Sequence, residues 1–279
     1  MSDESAMDWP YWPVLPTLWA DQVWVWRLGL RETGDLGRAW GCLSLAERER
    51  ADRYRHEGDR QRFVLTRGWL RRLAGAYLGL APNSLQFELG PHGKPFLPGY
   101  PLRFNLSHSG DWALLAFSRD RPLGIDLEVH RAVPMLRLAR RFFQESEWER
   151  LQQLSGDYQR QIFFDYWTAK EAYLKATGEG LGALSRVELD PAPLPGDRMA
   201  LWRCSSDSRG AGELVRSPTF EAQRLSLEPG YSAALVVGSQ GHELLTDEIL
   251  EKTVTKINNK SAGIRIYRGT ISPKMRVPS

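Results

Sequence analysis

The apolar positions along this chain fall into alternating strand-like and helix-like runs. Gln22–Leu30 sets Val23, Val25 and Leu28 against Trp24 and Trp26, a β-strand pattern. Ser44 with Glu47 three residues on resembles a capping box, opening a basic helix through about Tyr54. A longer amphipathic helix is predicted over Asp59–Leu78, with Phe63, Leu70, Leu73 and Tyr77 near one face. Short strands follow at Gln86–Leu89, Leu102–Ser107, Trp112–Ser118 and Leu123–Val129, divided by turn-formers at 91–95 and 109–111. Helical runs then cover Val133–Phe143, Glu145–Leu154 and Tyr158–Ala176, and strands are expected at Arg186–Leu189, Ala200–Arg203 and Tyr231–Val237. Each half reads helices and then antiparallel strands, an α+β architecture. The chain divides into a Trp/Pro-rich arm (1–20), two subdomains (21–118 and 119–240) and a tail (241–279). From Lys252 onward there are seven Lys or Arg and no acid, so that tail is expected outside the main fold, with disorder as one reading of it.

Composition narrows the field by exclusion. Of 279 residues, 42% are hydrophobic and 25% charged, which fits a folded globular protein with a real core. No apolar run is long enough for a bilayer, no signal peptide is evident, and two cysteines form neither a metal spacing nor a disulfide framework. A cytoplasmic protein without a membrane partner is the expectation. The net charge of +3, from 37 basic and 34 acidic residues, gives little support to nucleic acid. Six of the eleven tryptophans lie within the first forty residues, away from most arginines, which also argues against a nucleic-acid module.

Four places carry candidate chemistry. In Gly124-Ile125-Asp126-Leu127-Glu128-Val129, a strand sends Asp126 and Glu128 to one face, about 7 Å apart. Such a pair repels unless it is solvated or bridged by a cation, and Mg²⁺ takes one or two protein carboxylates with phosphate oxygens and waters. A solvated acidic face is the plainer reading of that segment alone. Glu171 lies four residues from both Trp167 and Lys175, on the stripe of Phe163, Trp167, Leu174 and Gly178 read as buried. A carboxylate there needs a partner, whereas a surface Glu–Lys pair would contribute only about 0.3–0.5 kcal/mol. Lys94, fixed between Gly93 and Pro95, and His108, within Ser107-His108-Ser109-Gly110, stand at turns. Arg62, Arg67, Arg71 and Arg72 share the second helix, a phosphate clamp or a solvated face. No Walker or dinucleotide glycine loop and no nucleophile elbow is present.

Taken in order, five motifs are more specific than any one alone. Gly93-Lys94-Pro95, Phe104–Ser109, Gly124–Glu128, Arg141–Glu147 and Trp167–Lys175 resemble the 4′-phosphopantetheinyl transferases, in their larger, surfactin-synthetase-type class. The resemblance covers roughly residues 20–238, leaving out the Trp/Pro arm and the basic tail. It implies two similar halves related by a pseudo-two-fold axis, a monomer built as a pseudo-dimer, with coenzyme A in the cleft between them. It also implies transfer of phosphopantetheine from coenzyme A to a serine of an acyl, polyketide or nonribosomal peptide carrier protein, releasing 3′,5′-ADP. On this resemblance Asp126, Glu128 and Glu171 are the Mg²⁺ ligands, with Mn²⁺ able to substitute. Lys175 holds the pyrophosphate, Lys94 and Pro95 line the adenine, and Ser107, His108, Arg62 and Arg67 surround the 3′-phosphate and ribose. Glu171 is the first candidate for the base that activates the serine, with Glu147 and Lys170 as assistants. A catalytically dead relative that only binds carriers is the competing reading, and the retention of all three acids with Lys175 speaks against it.

Overall fold

The structure is a computed structural model that describes residues 17–20, 22–31, 35–189, 198–199, 201–204, 214–216, 220–238 and 265–270. One opening order, a strand and then three helices, occurs twice in it. In the first half, β1 (Gln22–Gly29) leads into α1 (Leu36–Cys42), α2 (Leu45–Asp52) and α3 (Glu57–Leu78). Strands β2 (Glu88–Leu89), β3 (Pro95–Phe96), β4 (Leu102–Ser109) and β5 (Trp112–Arg119) follow. In the second half, β6 (Leu123–Val129) leads into α4 (Met135–Phe142), α5 (Glu145–Gln152) and α6 (Gly156–Thr177). Then come β7 (Val187–Leu189), β8 (Arg198–Met199), β9 (Leu201–Cys204), β10 (Leu214–Arg216), β11 (Phe220–Arg224) and β12 (Tyr231–Gly238), and after them β13 (Arg265–Thr270). Helices α3 and α6 are each 22 residues long, and each ends on a left-handed glycine, Gly79 and Gly178.

Two four-stranded sheets form the centre, in the orders β13-β1-β5-β4 and β6-β12-β11-β8. Alternation along the strands explains how they stack. Val23, Val25, Leu114 and Ala116 of the first sheet pack with Leu123, Ile125, Leu127, Ala233, Leu235 and Val237 of the second. The opposite face of the first sheet (Trp24, Trp26, Leu28, Leu115, Phe117) buries Val64, Leu65, Trp69 and Leu73 of α3. The opposite face of the second (Ala222, Ala234, Val236) meets α6. The result is four layers, helix, sheet, sheet and helix, in which both faces of the central strands are covered. That is why Trp112–Arg119 and Tyr231–Gly238 read as nearly unbroken apolar runs.

The halves also repeat one polar device. Glu47 is the third helical residue of α2, closing a capping box with Ser44, and its Oε2 lies 2.5 Å from Arg71 Nε on α3. Arg71 donates onward to the carbonyls of Pro82 and Leu85. Glu147 closes the matching box with Gln144 at the start of α5, and its Oε2 lies 2.6 Å from Lys170 Nζ on α6. Lys170 donates onward to the carbonyls of Leu184 and Val187, while Glu147 also accepts from the amides of Gln144 and Leu189. Both members of the second pair are sealed from solvent, at 0% and 2% exposure.

Several expectations change. Helix α1 and strands β3, β8, β10, β11 and β13 were not anticipated; α1 is only seven residues with two glycines, too short for a periodic signal. The tail does not lie wholly outside the fold: Arg265–Thr270 pairs in parallel with β1 across Gln22–Arg27 and covers that edge. Residues 1–16 of the N-terminal arm lie outside the described residues, though Leu18 packs on the first core and the Ala20 carbonyl accepts from Arg121.

Two outcomes follow from these contacts. Lys170→Met leaves Glu147 buried without its cation and should cost about 3–5 kcal/mol in urea unfolding, with the Glu147→Gln/Lys170→Met double variant recovering part of it. A loss below about 1 kcal/mol would show the pair to be idle. Deleting residues 265–279 bares the β1 edge and should give a lower Tm and concentration-dependent aggregation, read by light scattering.

Candidate active site

The two sheets meet at their edges, where β4 and β6 run side by side with no strand pairing between them among the described residues. Side chains of β4 fill the gap. Asn105 Oδ1 accepts from the Ile125 amide (2.8 Å), and Ser109 Oγ accepts from the Val129 amide (3.1 Å). Ser107 Oγ donates to Asp126 (2.9 Å) and Ser109 Oγ to Glu128 (3.1 Å). From α6, Lys175 Nζ reaches the Ile125 carbonyl (3.1 Å) and Asp126 Oδ1 (2.6 Å).

Asp126 is 6% exposed, and its Oδ1 takes both of its hydrogen bonds. Its Oδ2 is buried and accepts none. Burial raises the Asp126 pKa more than Lys175 and Ser107 lower it. Glu171 lies on α6 within electrostatic reach of Asp126 and Glu128. Desolvation first, and then these two carboxylates, push it up to about 7. Glu128, at the end of β6, also accepts from Arg131 (2.6 Å).

The buried stripe of α6 includes Phe163 and Leu174, as expected, but is wider than the expected one. Phe163, Tyr166, Ala169, Lys170 and Tyr173 are buried, while Trp167, Glu171 and Lys175 form a half-buried line along the helix. A helix covered nearly all round leaves one side open, and Glu171 and Lys175 lie on it, facing Asp126. Glu171 therefore stands in the cleft and not in the core.

The other candidates divide. Ser107, His108, Lys175, Asp126, Glu128 and Glu171 converge. The His108 imidazole is held below its ordinary pKa by desolvation first, and then by the Lys175 and Arg62 cations. Arg62 is half-exposed and pairs with Asp59 (2.6 Å). Arg67 is drawn into the Glu47–Arg71 pair, 3.1 Å from Glu47, over the Phe87 ring. Lys94 turns its amine inward, to the carbonyls of Leu123 (2.8 Å) and Lys175 (2.5 Å), while Pro95 starts the short strand β3. Glu147 and Lys170, expected as assistants, are joined to each other inside the second core, with their polar atoms taken up there. Asn105 and Ser109 lie in the Phe104–Ser109 motif, but no role was expected of either. The signal was the period-two polar series Asn105, Ser107, Ser109 opposite the acidic strand.

Among the described residues no three His, Cys, Asp or Glu side chains are set as a metal cage. The donor set nevertheless fits a hard divalent cation: an unpaired buried carboxylate oxygen on Asp126, with Glu171 and Glu128 beside it and one ammonium to balance them. Mg²⁺ fills much of its shell with water and phosphate oxygen, so a complete protein cage is not required. No described helix is long and apolar enough to cross a membrane.

Comparison with known proteins bears on this cleft. Residues 122–234 match the model of the 4′-phosphopantetheinyl transferase superfamily, and residues 32–120 match the N-terminal region of a 4′-phosphopantetheinyl transferase. The chain is 42% identical over 183 residues to the 4′-phosphopantetheinyl transferase HetI of Nostoc sp., covering 63% of this chain and 77% of that protein. It is 31% identical over 201 residues to the 4′-phosphopantetheinyl transferase Sfp of Bacillus subtilis, covering 71% and 83%. It is 32% identical over 236 residues to the L-aminoadipate-semialdehyde dehydrogenase-phosphopantetheinyl transferase of Xenopus laevis, covering 78% and 76%.

The pKa of Glu171 makes a signed prediction. A carboxyl raised to about 7 from the ordinary 4.5 binds more protons folded than unfolded. Its contribution to stability therefore falls as pH rises from about 4.5 to 7. In EDTA, Glu171→Gln should raise the Tm more at pH 8 than at pH 5. Equal shifts at both pH values would show that Glu171 carries no such strain.

Proposed function

Because the chain belongs to the 4′-phosphopantetheinyl transferase family, we propose that the Asp126 cleft is where it moves the phosphopantetheine arm of coenzyme A onto a carrier-protein serine. The supporting observation is the buried, unpaired Asp126 Oδ2 set beside Lys175, Glu171 and Glu128 at the seam of the two halves. In the transfer, the serine oxygen bonds to the β-phosphorus as the phosphoanhydride bond opens, and 3′,5′-ADP leaves. The serine proton goes to a Glu171 oxygen. The Lys175 ammonium, already at the mouth beside Asp126, offsets pyrophosphate charge. Asp126, Glu128 and Glu171 would hold Mg²⁺ or Mn²⁺, which supplies further charge neutralisation at the pyrophosphate.

Arg62, His108 and Ser107 are the side chains we assign to the 3′-phosphate and ribose, with the Lys94–Pro95 segment against the adenine. Arg67, on the same helix as Arg62, is assigned to the same group, although its guanidinium is held 3.1 Å from Glu47. Glu147 and Lys170 hold α5 and α6 in register and so act on the chemistry only through the helix that carries Glu171. The acceptor is a small acidic helical carrier protein, of fatty acid, polyketide or nonribosomal peptide type, which a mildly basic surface suits.

The test is direct. Purified protein, coenzyme A, magnesium and a panel of apo carriers are incubated, and each carrier is weighed by intact-mass spectrometry. We expect a phosphopantetheine-sized gain that EDTA abolishes. Asp126→Asn and Glu171→Gln should each lower turnover by at least about 100-fold with the fold intact. Coenzyme A binding without any mass gain would favour a carrier-binding relative that has lost the chemistry. Near-normal turnover in either variant would remove that residue from the mechanism.

A further inference from the structure

Strand β6 and helix α6 carry the acids and the lysine of the cleft, and at Gly124 their backbones touch. A Cβ on Gly124 would lie 2.0 Å from the Ala172 carbonyl oxygen, 2.5 Å from the Ala176 nitrogen and 2.9 Å from the Lys175 carbonyl carbon. No side chain fits there, and the helix turn it meets is Ala172–Ala176, which directly follows Glu171 and contains Lys175. Lys94 closes the same contact from outside. Its Nζ donates to the Leu123 carbonyl, one residue before Gly124, and to the Lys175 carbonyl of α6.

The second of these acceptors lies in the last turn of α6, where carbonyls lack helical partners and the helix dipole favours a cation. The first lies on the open edge of β6. Both hydrogen bonds are charge-assisted, and neither partner is a carboxylate. The arrangement is costly: desolvation first, and then Arg103 and Lys175, bring the Lys94 pKa down to about 8. A buried ammonium among other cations is a poor choice for a loop that needs only to be held. It suits a point where two backbone elements must be fixed at one spacing.

We propose that Lys94 and Gly124 are positioning residues for the transfer: the ammonium and the missing side chain together set the gap between β6 and α6. That gap fixes how far Asp126 stands from Glu171 and from the base of Lys175. The proposal rests on the transferase reading and assigns the Lys94 amine to the protein's own backbone instead of to coenzyme A.

The experiment separates binding from chemistry. Lys94→Met keeps the length and apolar stem of the side chain and removes the donor. Coenzyme A affinity is measured by calorimetry and turnover by carrier mass, with circular dichroism and Tm as checks on the fold. The clasp predicts a fall in kcat of about 100-fold, with the coenzyme A Kd within about threefold of the wild type. Gly124→Ala should show the same split and reads the same gap from the other side. Lys94→Gln, which retains a neutral donor, stands in if Lys94→Met does not fold. A Kd that rises as much as kcat/KM falls would make Lys94 a ligand of coenzyme A and overturn the proposal, as would unchanged kcat in the folded variants. A wild type that transfers nothing would strike the transferase reading itself, whereas a transferring wild type with no split in its variants would strike the clasp alone.

Discussion

The edge of a β-sheet presents N–H and C=O groups that must find partners, and β6 finds them in side chains from outside its sheet. Asn105 and Ser109 take the amides of Ile125 and Val129, while Lys94 and Lys175 take the carbonyls of Leu123 and Ile125. A neighbouring strand would have met the same need and closed the gap. Because side chains do it instead, the two sheets are joined and a polar seam remains open beside Asp126. The cleft is thus a consequence of how one strand edge is satisfied.

The repetition of the fold shows how little has to change to make a site. In each half a strand precedes three helices and lies under a 22-residue helix. In the first half the residues of that strand facing the helix are Trp24, Trp26 and Leu28, and the space between strand and helix is filled. In the second half the corresponding stretch carries Gly124, Asp126 and Glu128, so the helix comes into backbone contact and carboxylates take the place of indoles. The capping-box glutamates, paired with Arg71 in one half and Lys170 in the other, keep the shared framework in both. One half fills the space with apolar side chains, and the other sets charge in part of it.

Much of this was legible in the residues. The alternation in Gly124–Val129 separates the apolar face from the acidic one, and the structure keeps that separation, with Ile125 and Leu127 in the intersheet core. The long helices were legible because their apolar period is strong over many turns. Glu171 was placed on a buried stripe, since Trp167 and Leu174 suggested one; α6 is packed so widely that its half-open line falls on Trp167, Glu171 and Lys175 instead. The inward turn of Lys94 was hidden, because its partners are carbonyls distant in sequence, and a carbonyl leaves no mark on residue type. The same holds for Glu147 and Lys170: the spacing that marks a helix start gives no sign of the cation that the glutamate meets. The edge strand at Arg265–Thr270 escaped notice within a stretch whose basic charge dominated its pattern.

The central claim is that coenzyme A is held at the seam of the two halves, with its pyrophosphate at the Asp126 and Lys175 side chains. A crystal structure of the protein with coenzyme A and magnesium tests this most directly. The account predicts the ion on Asp126 Oδ2, pyrophosphate oxygens at the Lys175 ammonium, and Lys94 still bonded to the carbonyls of Leu123 and Lys175. A pyrophosphate bound away from the β6–α6 contact, or an ion held by other residues, would contradict it.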